Sequence, residues 1–156
     1  MYFKQFQRHW IMILIIPMIM AGCHVMLIGA YDQVTDEGIQ QIQTEVSTLL
    51  VKIEKNITNG TPNENKYENM KVDYDNVEGQ IKSLKIRVNS LPKYKIITNQ
   101  ITLLENNIND LEKLNKIGFS NNVRLIQTID STFQVSFSAM TALQNGLKRQ
   151  KTSNSQ

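Results

Sequence analysis

Four stretches of apolar residues at steps of three and four, separated by stop signals, restrict the fold of this 156-residue chain more than any other feature. The longest stretch runs from Tyr67 to Leu91 and keeps its spacing for roughly four heptads. Its members are Tyr67, Met70, Tyr74, Val77, Ile81, Leu84, Val88 and Leu91. Because this spacing places one apolar stripe along one helical face, it predicts an amphipathic helix rather than a strand.

Three more stripes predict three more helices. We expect the first helix from about Thr35 to Ile57, the third from about Thr98 to Lys116, and the fourth to carry its stripe over residues 123–147. Gly118 closes the third helix, and Ser120 is a candidate N-cap for the fourth. The remaining segments show no alternating strand pattern of useful length, so the chain is predicted to be all-α.

Stop and start signals define the second helix. Gly60 suits the left-handed residue that ends a helix, and Pro92 ends the next one because the residue before proline avoids helical angles. Thr61, Pro62 and Glu64 form a predicted capping box with proline at the first helical position. The second helix is therefore expected to start at about residue 62.

Short connections between the predicted helices favour antiparallel neighbours. We expect an up-down antiparallel helical bundle of about four helices, compact or elongated in outline, preceded by an N-terminal signal or anchor helix. The predicted bundle domain covers residues 35–148, and residues 149–156 are expected to form a polar, frayed tail.

The N-terminus has the pattern of a secretory signal. Lys4 and Arg8 lie in a segment without acids, an apolar run follows over residues 10–20, and small residues lead to Cys23. Ala21, Gly22 and Cys23 resemble the lipobox of bacterial lipoproteins, and Met20 stands where leucine is usual. The resemblance implies cleavage between Gly22 and Cys23 and a covalent diacylglycerol on Cys23. Residues 1–22 are thus a predicted signal peptide, and residues 23–34 a lipidated cysteine with a tether.

Localisation follows from the same segment. By the resemblance, His24 after the cysteine favours the periplasmic face of the outer membrane. The alternative is an uncleaved transmembrane helix over residues 10–30, which is long enough to span the hydrocarbon layer and would leave the body in the periplasm at the inner membrane. Both alternatives place the body outside the cytoplasm and anchor it to a membrane.

Composition limits the chemistry. One cysteine excludes an internal disulfide, two histidines leave little for a metal site, and a net charge of +3 is too weak to favour nucleic acid. Acidic pairs such as Asp36 and Glu37 are expected to be solvated, since neighbours on a helix do not face each other. The sequence therefore predicts neither an enzyme nor a cofactor beyond the covalent lipid.

Four residues form a candidate partner surface: Tyr67, Tyr74, Arg87 and Asp130. Each also has a plainer interpretation. The tyrosines lie on a stripe and are favoured as core, and Arg87 belongs to a cationic cluster that suits a helix C-terminus but could also meet anionic headgroups. Asp130 and Gln144 lie at the edge of the fourth stripe, as boundary residues or as polar groups that fix register.

The body of the chain also resembles a family of small, uncharacterised bacterial lipoproteins over about residues 30–115. The similarity is carried by Ala30-Tyr31-Asp32 with Leu50-Val51-Lys52-Ile53-Glu54, by Lys71-Val72-Asp73 with Leu84-Lys85-Ile86-Arg87, and by the stretch from Gln100 to Glu112. The resemblance implies a location and a fold and no biochemical activity.

Three functional hypotheses remain open at this stage. The favoured one is a membrane-anchored lipoprotein that acts as a non-enzymatic structural or protein–protein interaction module, with an envelope protein as its partner. The second is a periplasmic module that binds hydrophobic ligands or acts as a chaperone, with a pocket lined by Phe133, Phe137 and Met140. The third is a phage-encoded envelope lipoprotein for exclusion or lysis.

Overall fold

The computed structural model describes residues 28–118 and 122–153. The predicted signal peptide, the residues of the lipobox and Cys23 lie outside these ranges. The elements in chain order are α1 (Gln33–Thr58), a 3₁₀ turn (Pro62–Asn65), α2 (Tyr67–Ser90), α3 (Lys95–Ile117) and α4 (Val123–Ser153). In this part of the chain, no helix has both the length and the apolar character that crossing a membrane requires.

The helices form a ring in which each contacts two neighbours: α1 packs against α2 and α4, and α3 packs against the same two. Side-chain pairs show that α1 and α2 run in opposite directions. As the residue number rises along the first helix, the number of its partner on the second falls: Asp32 pairs with Arg87, Glu45 with Gln80 and Lys52 with Asp73. The pairs Tyr67 with Glu112 and Lys85 with Glu105 show the same for α2 and α3, as do Tyr31 with Lys148 and Glu54 with Gln127 for α1 and α4. Neighbouring helices are thus antiparallel, and the prediction of an all-helical bundle is confirmed.

The predicted stripes supply the core. Every member of the second stripe from Met70 to Val88 is buried, as are Phe133, Phe137 and Met140 on α4. Gln144 is also fully buried, so it lies within the stripe of α4 and not at its edge. Tyr94, in the α2–α3 connection, joins the same core although no stripe includes it.

The predicted capping box is wrong. The Thr61 side chain makes no capping hydrogen bond, and the 3₁₀ turn separates it from the start of α2 at Tyr67. The reason is Asn65, which is buried and whose amide donates to the carbonyl oxygen of Ile53 at 3.0 Å. Asn115 from α3 in turn donates to the Asn65 carbonyl oxygen at 2.9 Å. These long-range hydrogen bonds hold the 3₁₀ turn against α1, so that α2 begins at Tyr67 and not at about residue 62.

Two other boundaries differ from the prediction. Helix α3 begins at Lys95, three residues before Thr98, after Lys93 adopts a left-handed backbone with φ of 62°. Helix α4 continues to Ser153, so residues 149–153 of the predicted frayed tail are helical. The predicted cap Ser120 lies outside the described residues.

Candidate functional site at the entry end of the bundle

The first described residues are bound to one end of the bundle, which we call the entry end. It consists of residues 28–32, the start of α1, the α2–α3 connection (residues 91–94) and the C-terminus of α4. The Gly29 amide donates to the Lys93 carbonyl oxygen at 3.0 Å, and the buried Tyr94 hydroxyl donates to the Ala30 carbonyl oxygen at 2.5 Å. Residues 28–32, predicted to be part of a tether, are therefore a packed part of the fold.

Gly29 is required by this close approach. A Cβ atom at this position would overlap the Tyr94 ring and lie 2.8 Å from the Pro92 carbonyl oxygen. The absence of a side chain allows the incoming backbone to lie flat on the ring. The segment before α1 thus packs against the α2–α3 connection too closely for a side chain at position 29.

Asp32 joins the start of α1 to the end of α2. As the N-cap of α1 it accepts from the Thr35 amide at 2.9 Å and from the Thr35 hydroxyl at 2.7 Å. From α2, Arg87 Nε and Nη2 donate to its two carboxylate oxygens at 2.7 and 2.6 Å. The Arg87 guanidinium and the Thr35 donors hold the pKa of Asp32 well below its usual range, although partial burial opposes them.

Tyr31 connects the start of α1 to the end of α4. Its hydroxyl donates to Asp36 Oδ2 at 2.9 Å, while the amines of Lys148 and Lys151 lie 5.8 and 5.7 Å from its ring centre. Burial and the Asp36 hydrogen bond raise the pKa of Tyr31. Cations over an aromatic face are attracted by its negative quadrupole. The end of α4 is therefore held beside the incoming segment.

Lowering the pH should weaken the attachment through Asp32. Because its pKa is depressed in the folded state, the stability that it contributes is present above about pH 4 and is lost as the pH falls below that value. Asp32→Asn retains a good N-cap residue but removes the charge. We expect urea unfolding to show a smaller loss of stability between pH 7 and pH 3 in this variant than in the unsubstituted chain.

The exposed Asp110 provides the control for that experiment, since its side chain is 70% exposed. Asp110→Asn should keep the pH dependence of the unsubstituted chain. If Asp32→Asn showed the same pH dependence as the control, the ion pair with Arg87 would not stabilise the folded protein.

The structure does not bring the four predicted partner residues together. Tyr67 begins α2 and Arg87 lies in its last turn, so about 30 Å of helix separates them. Tyr74 is fully buried, which corrects its place on a partner surface: its ring stacks on Tyr67 inside the bundle. Asp130 is half-buried on α4 and accepts from Gln134 at 2.5 Å. Of the four, Arg87 alone belongs to the entry end.

A second polar cluster lies at the opposite end, which we call the far end. The Tyr67 hydroxyl donates to Glu112 Oε1 at 2.8 Å, and Lys116 both pairs with Glu112 at 2.8 Å and lies 4.5 Å from the Tyr67 ring centre. Burial would raise the pKa of Glu112, but the hydrogen bonds from Lys116 and Tyr67 outweigh it and lower the pKa. A shallow cleft of about 390 Å³ lies beside this cluster. Its charges neutralise one another, and the Tyr67 hydrogen bond ties the start of α2 to the end of α3.

Residues 28–118 and 122–153 contain no group of three or more histidine, cysteine or acidic side chains that could hold a metal ion. The aromatic pair Phe133 and Phe137, predicted to line a cargo pocket with Met140, packs in the core with ring centres 6.4 Å apart. The surface clefts at the two ends are lined by other residues.

Sequence reasoning missed most of the entry end. Asp32 could have been found as the N-cap, because aspartate is a favoured N-cap residue and it lies shortly before the predicted start of the first helix at Thr35. Tyr94 and Lys148 gave no such signal, since their partners Ala30 and Tyr31 lie far away in sequence.

Comparisons of the chain with protein-family models, with curated proteins and with solved structures find no match. The resemblance to small bacterial lipoproteins stays a prediction.

Proposed function

We propose that this protein is a bacterial lipoprotein anchored through a lipid on Cys23, and that its helical bundle is a non-enzymatic structural or protein–protein interaction module of the cell envelope. The observation that carries the proposal is the attachment of residues 28–32 to the end of α2 and to the α2–α3 connection. Two backbone-directed hydrogen bonds and the Asp32–Arg87 ion pair hold this segment. A chain that merely passed from an anchor to a domain would not need them.

The attachment limits the distance between the anchor and the bundle. Five residues lead from Cys23 to Ile28, and an extended chain reaches at most about 18 Å over that length. A lipidated Cys23 would therefore keep the entry end close to the headgroups. The 26 residues of α1 then extend the far end about 39 Å from the entry end. A bundle held in this way presents its sides and far end to a partner in the envelope.

The residues around Cys23 support the outer-membrane version of the proposal. The pattern Ala21-Gly22-Cys23 fits lipidation followed by cleavage, and His24 in place of aspartate fits transfer to the outer membrane. Two or three acyl chains give firm anchoring without a spanning helix. The alternative anchor, an uncleaved helix over residues 10–30, would leave the bundle at the inner membrane with the same entry end towards the bilayer.

Cys23→Ser tests the anchor in cells. We expect the variant to lose lipid labelling and signal cleavage, since serine lacks the thiol that accepts the diacylglycerol, and globomycin should cause the unsubstituted precursor to accumulate. Both are measured by metabolic labelling with a fatty acid and by gel mobility. Met20→Leu is the matched control, because it restores the usual lipobox residue and should be processed at least as well as the unsubstituted chain. Unchanged mobility and membrane partition in Cys23→Ser would refute the lipid anchor.

A further inference from the structure

The bundle has an uneven distribution of charge along its length. The segments that build the entry end (residues 28–40, 83–102 and 146–153) hold seven cations and three carboxylates. The segments that build the far end (residues 51–74, 110–118 and 122–130) hold seven cations and seven carboxylates. The entry end therefore carries a net charge of +4, while the far end is neutral. The cations at the entry end are Lys85, Arg87, Lys93, Lys95, Lys148, Arg149 and Lys151.

Seven cations and three carboxylates leave a positive excess at the entry end however they pair. Arg87 binds Asp32, and Lys85 binds Glu105 on the middle of α3. The other two carboxylates of the entry end accept hydrogen bonds from neutral donors: Asp36 from Tyr31 and Gln40, and Glu37 from Gln33. At the far end, cations and carboxylates are equal in number, and lysines pair with carboxylates, as for Lys52 with Asp73, Lys113 with Asp110 and Lys116 with Glu112.

The excess charge comes from two places that the topology brings together. Lys93 and Lys95 lie in and after the α2–α3 connection, and three cations lie in the last two turns of α4. These segments are more than 50 residues apart in sequence, and they flank the segment that leads to Cys23. Capping of α2 explains Arg87 and not the cations contributed by α3 and α4. The position of the charge therefore matches the point where the chain leaves for the predicted anchor.

We propose that the entry end binds the phosphate-containing headgroups of anionic phospholipids, so that the bundle stands on the membrane with its far end outward. This inference rests on the proposed membrane anchor, which brings the cations within reach of the bilayer. Attraction to a charged lipid surface falls off within a Debye length of about 8 Å at physiological salt. An anchor that holds the entry end within about 18 Å of Cys23 allows the contact, and the charge excess then selects which end faces the lipid.

Amine footprinting of the protein extracted from membranes, with its anchor retained, tests the proposal. The protein is bound to vesicles of phosphatidylcholine alone or with about 30 mol% phosphatidylglycerol, and a membrane-impermeant amine reagent modifies exposed lysines, which mass spectrometry quantifies. Lys95 and Lys148 report on the entry end, and Lys55 and Lys113 report on the far end; all four are exposed. Flotation of the vesicles first establishes that the protein is membrane-bound.

We expect phosphatidylglycerol to slow the modification of Lys95 and Lys148 by about fivefold or more, with less than about a twofold change at Lys55 and Lys113. About 1 M NaCl should abolish the difference, because it shortens the Debye length to about 3 Å. The double variant Lys95→Glu/Arg149→Glu should lose the protection of Lys148. The matched variant Lys55→Glu/Lys113→Glu should retain it.

Four results would overturn the proposal. Equal slowing at both ends, or equal slowing in vesicles without phosphatidylglycerol, would show that anionic headgroups do not select the entry end, while the anchor proposal would stand. Retained protection of Lys148 in Lys95→Glu/Arg149→Glu would have the same meaning. A protein that failed to float with either kind of vesicle would contradict the anchor, and with it the inference.

Discussion

Phe137→Ala is expected to lower the free energy of unfolding by about 3–5 kcal/mol, because the substitution removes a ring from a close-packed core. The Phe137 side chain is 2% exposed and stacks on Phe133 with an interplanar angle of 25°. Urea unfolding followed by circular dichroism measures the effect. Val135→Ala is the control on the same helix, since Val135 is 72% exposed and its truncation should change stability by less than about 0.5 kcal/mol.

The same variant separates the interaction module from the cargo-binding alternative. If Phe133, Phe137 and Met140 lined a pocket for hydrophobic ligands, Phe137→Ala would reduce binding of an apolar dye and leave stability close to that of Val135→Ala. If they form the core, the native protein should bind the dye weakly and the variant should be unstable. The second pattern is the one that the burial of these residues predicts.

Gln144→Leu is expected to raise the free energy of unfolding by about 1–3 kcal/mol. Gln144 is 1% exposed, and neither its amide nitrogen nor its amide oxygen has a hydrogen-bond partner in the described part of the chain. A buried polar group without a partner loses its bonds to water and gains none in return. Leucine fills a similar volume without that cost. Thermal and urea unfolding should both show the gain.

Gln150→Leu is the matched control, because it makes the same change of side chain at an exposed position of α4. It should change stability by less than about 0.5 kcal/mol. A loss of stability in Gln144→Leu, or a change in oligomeric state, would instead show that the amide makes a polar contact that fixes helix register, which was the other interpretation of this position.

The apolar periodicity of the sequence was enough to predict the bundle, because each stripe depends only on residues within one helix. The second stripe is the clearest case: its predicted members from Met70 to Val88 are all buried. The same argument placed Gln144 at an edge, since periodicity cannot tell a boundary position from a central one when the residue is polar. Burial there depends on how α4 is rotated against α1 and α3.

The start of α2 and the entry end could not be predicted in this way. Asn65 delays α2 through contacts with Ile53 and Asn115, which are 12 and 50 residues away. Arg87 and Asp32 are 55 residues apart, so no local pattern connects them. Local signals such as a Thr-Pro pair are overruled when a buried side chain finds a better set of partners elsewhere in the fold.

The uneven charge along the bundle was hidden in the sequence for the same reason. The cationic cluster around Arg87 was recognised near the end of the second helix, but Arg149 and Lys151 were assigned to a frayed tail. The antiparallel topology brings both groups to the end from which the chain leads to Cys23. The cationic cluster at the end of α2, which capping alone could explain, is thus part of a larger positive charge at one end of the bundle.

Intact-mass spectrometry of the protein extracted from membranes tests the central claim most directly. The account predicts a mature chain that begins at Cys23 and carries the added mass of a diacylglycerol, with or without an additional acyl chain on the new amino group. An unmodified mass of 17.9 kDa, that of the whole 156-residue chain, would contradict lipidation and cleavage.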